Sequence, residues 1–382
     1  MSTEKISIII EGATGRLGGT QHLRALLDFR REGGLVLKNG TRLLPEPVLL
    51  GRNADKVAAL AATHDLRWST DRAAVLADRN NSIYFDVSAT AGRVARAQAA
   101  LAAGKHVYLE KPIAENIEDA LSLVRAAEHA GVRNGVVQDK LFLPGLQKLK
   151  RVRDSGFLGK VLAAKLEFCW WVFDGELTPA QRSSWNYRKS EGGGIVLDMF
   201  PHWRYIVDQV IAPITSVSCR VSTAVPQRRD EKGERYAVDV EDSAVGTFEL
   251  AGGALLQVNA SWATRVKRDD MLTLQVDGAF GSAVCGLHRC FVQSLATTPK
   301  PAWNIEVDRK EDFNHQWQEV PDVEPYRNSY RAGWELFLRH VAEGAPFPSP
   351  LIEGAKGIQL VDACYRSHAE RRWIDLSELA LS

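Results

Sequence analysis

The sequence predicts an α/β domain built on a parallel sheet, followed by an α+β domain with a large, mainly antiparallel open sheet. Three observations carry this. Short β-branched runs alternate with alanine- and leucine-rich stretches up to about residue 140. The glycine-rich turn Gly12-Ala-Thr-Gly15-Arg-Leu-Gly18 joins the first apolar run to the first helical stretch. After about residue 150 longer strand-like runs appear, and nine of the ten tryptophans lie there.

At 382 residues the chain exceeds one ordinary core, so two domains are expected, at 1–140 and 141–382. In the first, strands are predicted at Ile6–Glu11, Pro47–Leu50, Ser82–Val87, His106–Leu109 and Gly135–Gln138. Helices are predicted at Leu17–Arg31, Ala54–Thr63, Arg93–Ala103 and Ile117–Ala130. Strand and helix in alternation give right-handed βαβ units and a parallel sheet. Gly33–Glu46 reads as an inserted hairpin or loop.

In the second domain, strands are predicted at Val161–Val172, Ser216–Ala224, Ala244–Leu250, Ala254–Trp262, Leu272–Val276 and Ser282–Gly286. Several are joined by short turns, which favours antiparallel pairing. Helices are expected at Ile195–Val210 and Tyr330–Ala342, and a last one, Glu353–Arg371, is placed to pack back on the first domain. The charge-dense Gln227–Arg235 reads as a solvated loop.

Composition narrows the function. Apolar residues make up 45% and charged residues 25%, a soluble globular balance. A net charge of +1 implies no polyanion or membrane partner, and no basic stretch is interleaved with aromatics for nucleic acid. No apolar run reaches spanning length, and the N-terminus has no signal-peptide pattern, so a cytoplasmic protein is expected. Five scattered cysteines without a Cys-x-x-Cys read as reduced thiols, and no metal cluster is evident.

Gly12, Gly15 and Gly18 lie between a buried strand and a helix, where exposed N–H groups at a helix start suit a pyrophosphate. The spacing is G-x-x-G-x-x-G, and a plain glycine turn is the alternative. The candidate cofactor contacts are the turn residues Gly12, Thr14, Gly15, Arg16 and Leu17 and the second-strand end Gly51, Arg52 and Asn53, with Lys111 at a later strand end. The second strand ends Leu49-Leu50-Gly51-Arg52-Asn53 with no carboxylate for a ribose 2′-hydroxyl. Arg52 suits a 2′-phosphate, so NADP is favoured over NAD.

Lys111 stands at the carboxyl end of a parallel strand, where open α/β sheets place ligands. Pro112 restricts the lysine and allows a cis bond. Gly192-Gly-Gly194 opens a helix carrying Asp198 and His202, four residues apart and so on one face. A carboxylate there orients an imidazole for proton transfer, or the two form a purely structural pair. Trp170, Trp171, Phe173, Trp185 and Tyr187, with Asp174, Asn186 and Arg188, suit a sugar ring or else belong to a sheet core.

The ordered set resembles the Gfo/Idh/MocA family, the glucose-fructose oxidoreductase and inositol dehydrogenase-like enzymes. The resemblance rests on the N-terminal turn, Ala103-Gly104-Lys105-His106-Val107 leading into Glu110-Lys111-Pro112, Gly156-Phe-Leu-Gly159-Lys160-Val161, and Gly192 through Asp198 to His202. It implies an N-terminal Rossmann domain and a C-terminal α+β domain whose open sheet forms a homodimer or homotetramer. It implies Lys111, Asp198 and His202 as the catalytic group and Glu110 beside the nicotinamide ribose. Ser88, Ala89, Thr90 and Glu110 join the candidate cofactor contacts only through this resemblance. Lys140, Trp171, Asp174, Trp185, Tyr187, Arg188 and His202 are the candidate substrate contacts. Three positions depart from the family pattern. Ala89-Thr90-x-x-Arg93 stands for Pro-Asn-x-x-His, Phe200 for a glycine, and Gln138-Asp139-Lys140 for an Asn-x-Arg element. The implied activity is NAD(P)-dependent oxidation of a secondary alcohol on a sugar, cyclitol or glycoside. A non-catalytic NADP(H) sensor and a glycosidase working by transient oxidation and elimination are the alternatives.

Overall fold

The computed structural model describes residues 2–301, 303–304, 306 and 311–380. The chain divides into two compact units, Met1–Asp139 with Arg327–Gln359 and Leu379–Ser382, and Lys140–Tyr326 with Leu360–Glu378.

The first unit holds a seven-stranded sheet: β1 (Thr3–Glu11), β2 (Leu35–Val36), β3 (Arg42–Leu50), β4 (Arg67–Ser69), β5 (Asn81–Asp86), β6 (His106–Leu109) and β7 (Asn134–Val136). The order is β2-β3-β1-β5-β6-β7, with β4 also on β3. All pairs are parallel except β2 with β3, so the inserted segment is a hairpin. Alternate residues of β1 face opposite sides: Ile8 and Ile10 join one core, Ile9 the other. Helices α1 (Arg24–Arg31), α2 (Ala54–His64), α3 (Arg72–Ala77), α4 (Arg93–Ala102) and α5 (Ile117–Ala130) accompany the sheet. The predicted helix from Leu17 is divided, because Gly18–Leu23 winds as a π-helix before α1.

The sequence reading ends the first domain at 140 and expects only the last helix to pack back on it. In the structure α8 (Ser329–Glu343) and residues 351–359 of α9 (Leu351–Glu370) belong to the first unit. Trp334, Phe337 and Leu338 fill one core of its sheet, and Leu351, Ala355 and Ile358 the other. Their apolar faces add to the cover that α1, α4 and α5 give the same sheet.

In the second unit α6 (Pro144–Asp154) and α7 (Ile195–Val210) accompany a nine-stranded sheet. Its strands are β8 (Val161–Cys169), β9 (Ile214–Ser222), β12 (Ser243–Leu250), β13 (Leu255–Ser261), β14 (Leu272–Gly278), β15 (Gly281–Cys285), β16 (Cys290–Ser294), β17 (Gln318–Glu319) and β18 (Ile374–Asp375). The order is β17-β16-β15-β14-β8-β13-β12-β9-β18, antiparallel except between β8 and β13. The segment read as a solvated loop is instead the hairpin β10 (Gln227–Arg229) and β11 (Arg235–Ala237). Arg228 points inward from it, buried, with its guanidinium 3.9 Å from the Tyr187 ring centroid and 3.8 Å from Asp242. An aromatic face and a buried carboxylate make that burial tolerable. All five cysteines are buried free thiols. No helix among the described residues is long and apolar enough to cross a membrane.

Gly12 is required by the first turn. Its φ is +91°, and a Cβ there would lie 2.7 Å from the backbone nitrogen of Ser88. A side chain must therefore push apart two adjacent connections of the sheet. Gly12→Ala should lower unfolding stability by at least ~1–2 kcal/mol, the cost of a left-handed L-residue. Urea denaturation measures this, and unchanged stability would contradict the packing described.

Candidate active site

Backbone register builds the candidate cofactor edge of the first unit. Glu11 is level with Leu50 of β3 and Asp86 of β5, and Asp86 is level with Leu109 of β6. The connections after β1, β3, β5 and β6 therefore leave the sheet side by side. These are the segments 12–17, 51–53, 88–90 and 110–111, which the sequence reading assigned separately to a cofactor. The first turn is closed by Gly12 N–H donating to Leu50 O at 3.1 Å and Gly15 N–H donating to Gly12 O at 2.9 Å. Thr14, Gly15 and Arg16 are exposed on it, and Leu17 is half-buried. The close approach at Gly12 and the exposed peptide groups beyond it fit a dinucleotide phosphate cradle.

Arg52 is exposed just beyond β3. Asn53 has a different job: its side chain caps α2 by accepting from Lys56 N–H at 2.9 Å. Ser88 donates through both N–H and hydroxyl to Asp86 Oδ1, at 2.8 and 2.6 Å. Ala89 is exposed and Thr90 half-buried. The Lys111–Pro112 peptide bond is cis.

Glu110 is buried, and both of its carboxylate oxygens are engaged. Oε2 accepts from Lys111 N–H at 3.0 Å, and Oε1 is 2.9 Å from His22 Nε2. The other ring nitrogen, His22 Nδ1, accepts from the Trp334 indole N–H at 3.1 Å. An indole nitrogen only donates, so Nδ1 accepts and Nε2 carries the proton given to Glu110. A helix more than three hundred residues away in sequence thereby fixes the tautomer that serves the Glu-Lys-Pro loop. Burial alone would raise the Glu110 carboxyl. The His22 hydrogen bond, with the nearby charges of Lys111 and Arg93, outweighs it and holds the group below its ordinary value.

The second unit, taken by itself, carries α7. Gly194 precedes it with φ +111°, where a Cβ would lie 2.6 Å from Glu241 Oε1. That oxygen accepts from Val196 N–H at 2.9 Å and from the Tyr365 hydroxyl at 2.9 Å, so a buried carboxylate caps the helix start. Burial raises the Glu241 carboxyl above its ordinary value, and the Val196 bond partly offsets this. The helix buries Ile195, Val196, Phe200, Trp203, Ile206 and Val207 and carries Asp198 and His202.

Each member of this pair has a further partner that the spacing alone does not suggest. Asp198 Oδ2 accepts from Arg182 Nη2 at 2.6 Å. The Arg182 guanidinium stacks 4.1 Å from the Trp262 ring centroid. His202 is buried, with Nδ1 2.6 Å from the Tyr205 hydroxyl, one helical turn along. The same hydroxyl accepts from Lys140 N–H at 3.3 Å. A hydroxyl can donate or accept, so Tyr205 suits either tautomer of His202.

The aromatic candidates separate. Tyr187 is core: it is buried between Arg228 and Trp262, whose ring centroid is 5.6 Å away, and burial pushes its phenol up to about 12. It cannot be a sugar platform. Trp171 is half-buried with Arg265 4.0 Å from its ring centroid. Trp185 is exposed, and Asp174 accepts from Glu176 N–H. Arg188 lies 4.8 Å from the Tyr236 ring centroid and 3.6 Å from Glu191. Sequence reasoning missed Tyr205, Arg182, His22 and Trp334. Only Tyr205 had a local signal, its position one turn from His202.

Known proteins match the chain in both parts. Residues 6–138 match the family model "Oxidoreductase family, NAD-binding Rossmann fold", and 146–284 match "GFO/IDH/MocA C-terminal domain". D-xylose dehydrogenase of Paenarthrobacter nicotinovorans is 45% identical over 385 residues, spanning 99% of each chain. Levoglucosan dehydrogenase of Pseudarthrobacter phenanthrenivorans is 22% identical over 74% of this chain and 76% of its own. A solved levoglucosan dehydrogenase in complex with NADH and levoglucosan superposes with a TM-score of 0.81 at 19% identity, covering 98% of this chain and 100% of that one. An oxidoreductase domain protein from Kribbella flavida gives 0.80 at 23% identity, covering 99% and 100%. At these identities the solved structures show a shared fold.

The His22–Glu110 bond carries a pH signature. Glu110 favours its charged form in the fold, so this stabilisation is present above the ordinary carboxyl value of 4.5 and lost as pH falls through the lowered folded value. His22→Ala should cost about 1–3 kcal/mol at neutral pH, the penalty for stranding a buried acceptor. Denaturation at neutral and acid pH measures it. The gap to wild type should narrow on acidification, and a gap that is constant or widens would contradict the assignment.

Proposed function

The chain belongs to the Gfo/Idh/MocA family of oxidoreductases, and from this premise we propose that it oxidises a sugar with a nicotinamide cofactor, with D-xylose or a related aldopentose as substrate. The observation that carries the substrate is the full-length 45% identity with D-xylose dehydrogenase. The anomeric carbon is the position favoured by chemistry, because a hemiacetal carbon that loses hydride becomes a resonance-stabilised lactone.

A bound nicotinamide supplies the hydride acceptor, which no side chain can be. The protein's own groups do the rest. The turn at Gly12–Leu17 would hold the pyrophosphate on its N–H groups, and Arg52 would meet a 2′-phosphate. Lys111 polarises the substrate oxygen as negative charge develops there. His202 takes the hydroxyl proton at one ring nitrogen while Nδ1 keeps its bond to Tyr205, 2.6 Å away. Asp198, held by Arg182, adds negative charge on the same helix face, which favours the imidazolium formed when the proton arrives. At the substrate one O–H and one C–H bond break as a carbonyl forms: the proton stays on His202, and the hydride pair would pass to a bound nicotinamide.

The reaction is tested by supplying pentoses, hexoses, cyclitols and glycosides with NAD or NADP and following the absorbance of the reduced nicotinamide. D-xylose should be among the best substrates, and no turnover with any aldose would remove the proposal. On the identified substrate, Lys111→Ala and His202→Ala should each lower turnover by at least about a hundredfold. Wild-type rates in both would remove the site assignment. Arg52→Ala should weaken NADP binding more than NAD binding in a titration of each cofactor; equal losses would take Arg52 off the 2′-phosphate.

A further inference from the structure

One guanidinium holds the peptide groups on both sides of Lys111, and we propose that Arg93 is a positioning residue that sets the lysine for catalysis. The inference rests on the reading of Lys111 as catalytic. Arg93 opens α4 and is 2% exposed. Its Nη1 donates to the carbonyl oxygen of Glu110 at 3.0 Å and also to that of Pro112. Its Nη2 donates to the carbonyl oxygen of Ser88, in the neighbouring connection after β5. The planar fork thus ties the residue before the lysine, the residue after it, and the next loop along the sheet edge.

This is work for arginine and for no shorter donor set. A lysine offers a single nitrogen on a flexible stem, and a histidine at most two N–H groups on one ring. Neither can reach three carbonyls spread over two loops with fixed spacing. The charge of Arg93 is also matched, since Nε faces Asp86 Oδ1 at 3.8 Å, beyond hydrogen-bond reach.

Asp86 does not depend on Arg93. Its Oδ1 accepts from Ser88 N–H and hydroxyl, and Oδ2 accepts from Arg96 Nε at 2.8 Å. Replacing Arg93 therefore leaves the buried carboxylate paired, and a folded variant is expected. What is lost is the tie on the Glu110 and Pro112 carbonyls. A displacement near 1 Å of a reacting group costs up to about a hundredfold in rate.

The test uses Arg93→Lys, which keeps the charge, and Arg93→Gln, which keeps a small donor. In both, hydrogen exchange of peptides covering 106–113 and 86–91 should quicken, with β1 peptides unchanged. In both, kcat should fall about tenfold to a hundredfold, while the cofactor Kd moves much less. Full kcat in a folded variant, or unaltered exchange at the Lys111 loop, overturns the proposal. A loss confined to melting temperature, with normal kcat per folded molecule, assigns Arg93 to stability and also overturns it. A wild-type protein inactive on every sugar counts against the proposed reaction, and the exchange measurement still decides the clamp.

Discussion

Parallel strands deliver their carboxyl ends to one edge of a sheet, and in this chain the register makes that edge level. Glu11 stands beside Leu50 and Asp86, and Asp86 beside Leu109. Four connections far apart in sequence are thereby set next to each other with no side chain involved. The cost is crowding, which is why Gly12 is a glycine and why its carbonyl lies only 2.5 Å from where a Cβ of Gly18 would be. Every candidate cofactor contact in the first unit follows from that alignment.

Charge is placed at the same edge, and it is expensive there. Glu11, Asp86 and Glu110 are all buried at the strand ends. Each has a partner: Arg72 for Glu11, Arg96 and Arg93 for Asp86, His22 for Glu110. The arginine-paired carboxylates Glu11 and Asp86 are buried ion pairs, weak evidence for stability because desolvation offsets the attraction, yet breaking one costs about 3–5 kcal/mol, whereas Glu110 is held by the hydrogen bond from His22 Nε2–H. Such groups therefore make poor glue and good locators. They fix the loops that leave the sheet to one arrangement, which is what a hydride-transfer site needs from its scaffold. The second unit repeats the device at α7, where buried Glu241 receives the helix start that leads to Asp198 and His202.

The parts legible in the sequence are those that local pattern controls. Ile117–Ala130 is bounded as read, by an Asn116 cap and a left-handed Gly131, and Ile195–Val210 follows its three glycines. The two sheet types were legible from strand spacing. The misses have common causes. The strand β4 and helix α3 are three and six residues long, too short to show a period, although Asp71 does cap α3. Arg228 looked solvated because charge usually is, and its burial depends on Tyr187 and Asp242 arriving from other elements. Tyr187 was a candidate sugar contact until its ring was found under that arginine. The His22–Trp334 bond spans 312 positions, and no local rule reaches that far. The spacing of Asp198 and His202 put both on one face, but it could not reveal that Arg182 and Tyr205 would be their partners.

The proposed reaction moves a hydride from a sugar carbon to a nicotinamide. The most direct measurement is isotope tracing with D-xylose carrying deuterium at the anomeric carbon, with nuclear magnetic resonance of the recovered cofactor. Deuterium is expected at one face of the nicotinamide ring, with a slowed turnover. Reduced cofactor free of deuterium would contradict it, as would sugar consumed with no reduced cofactor formed.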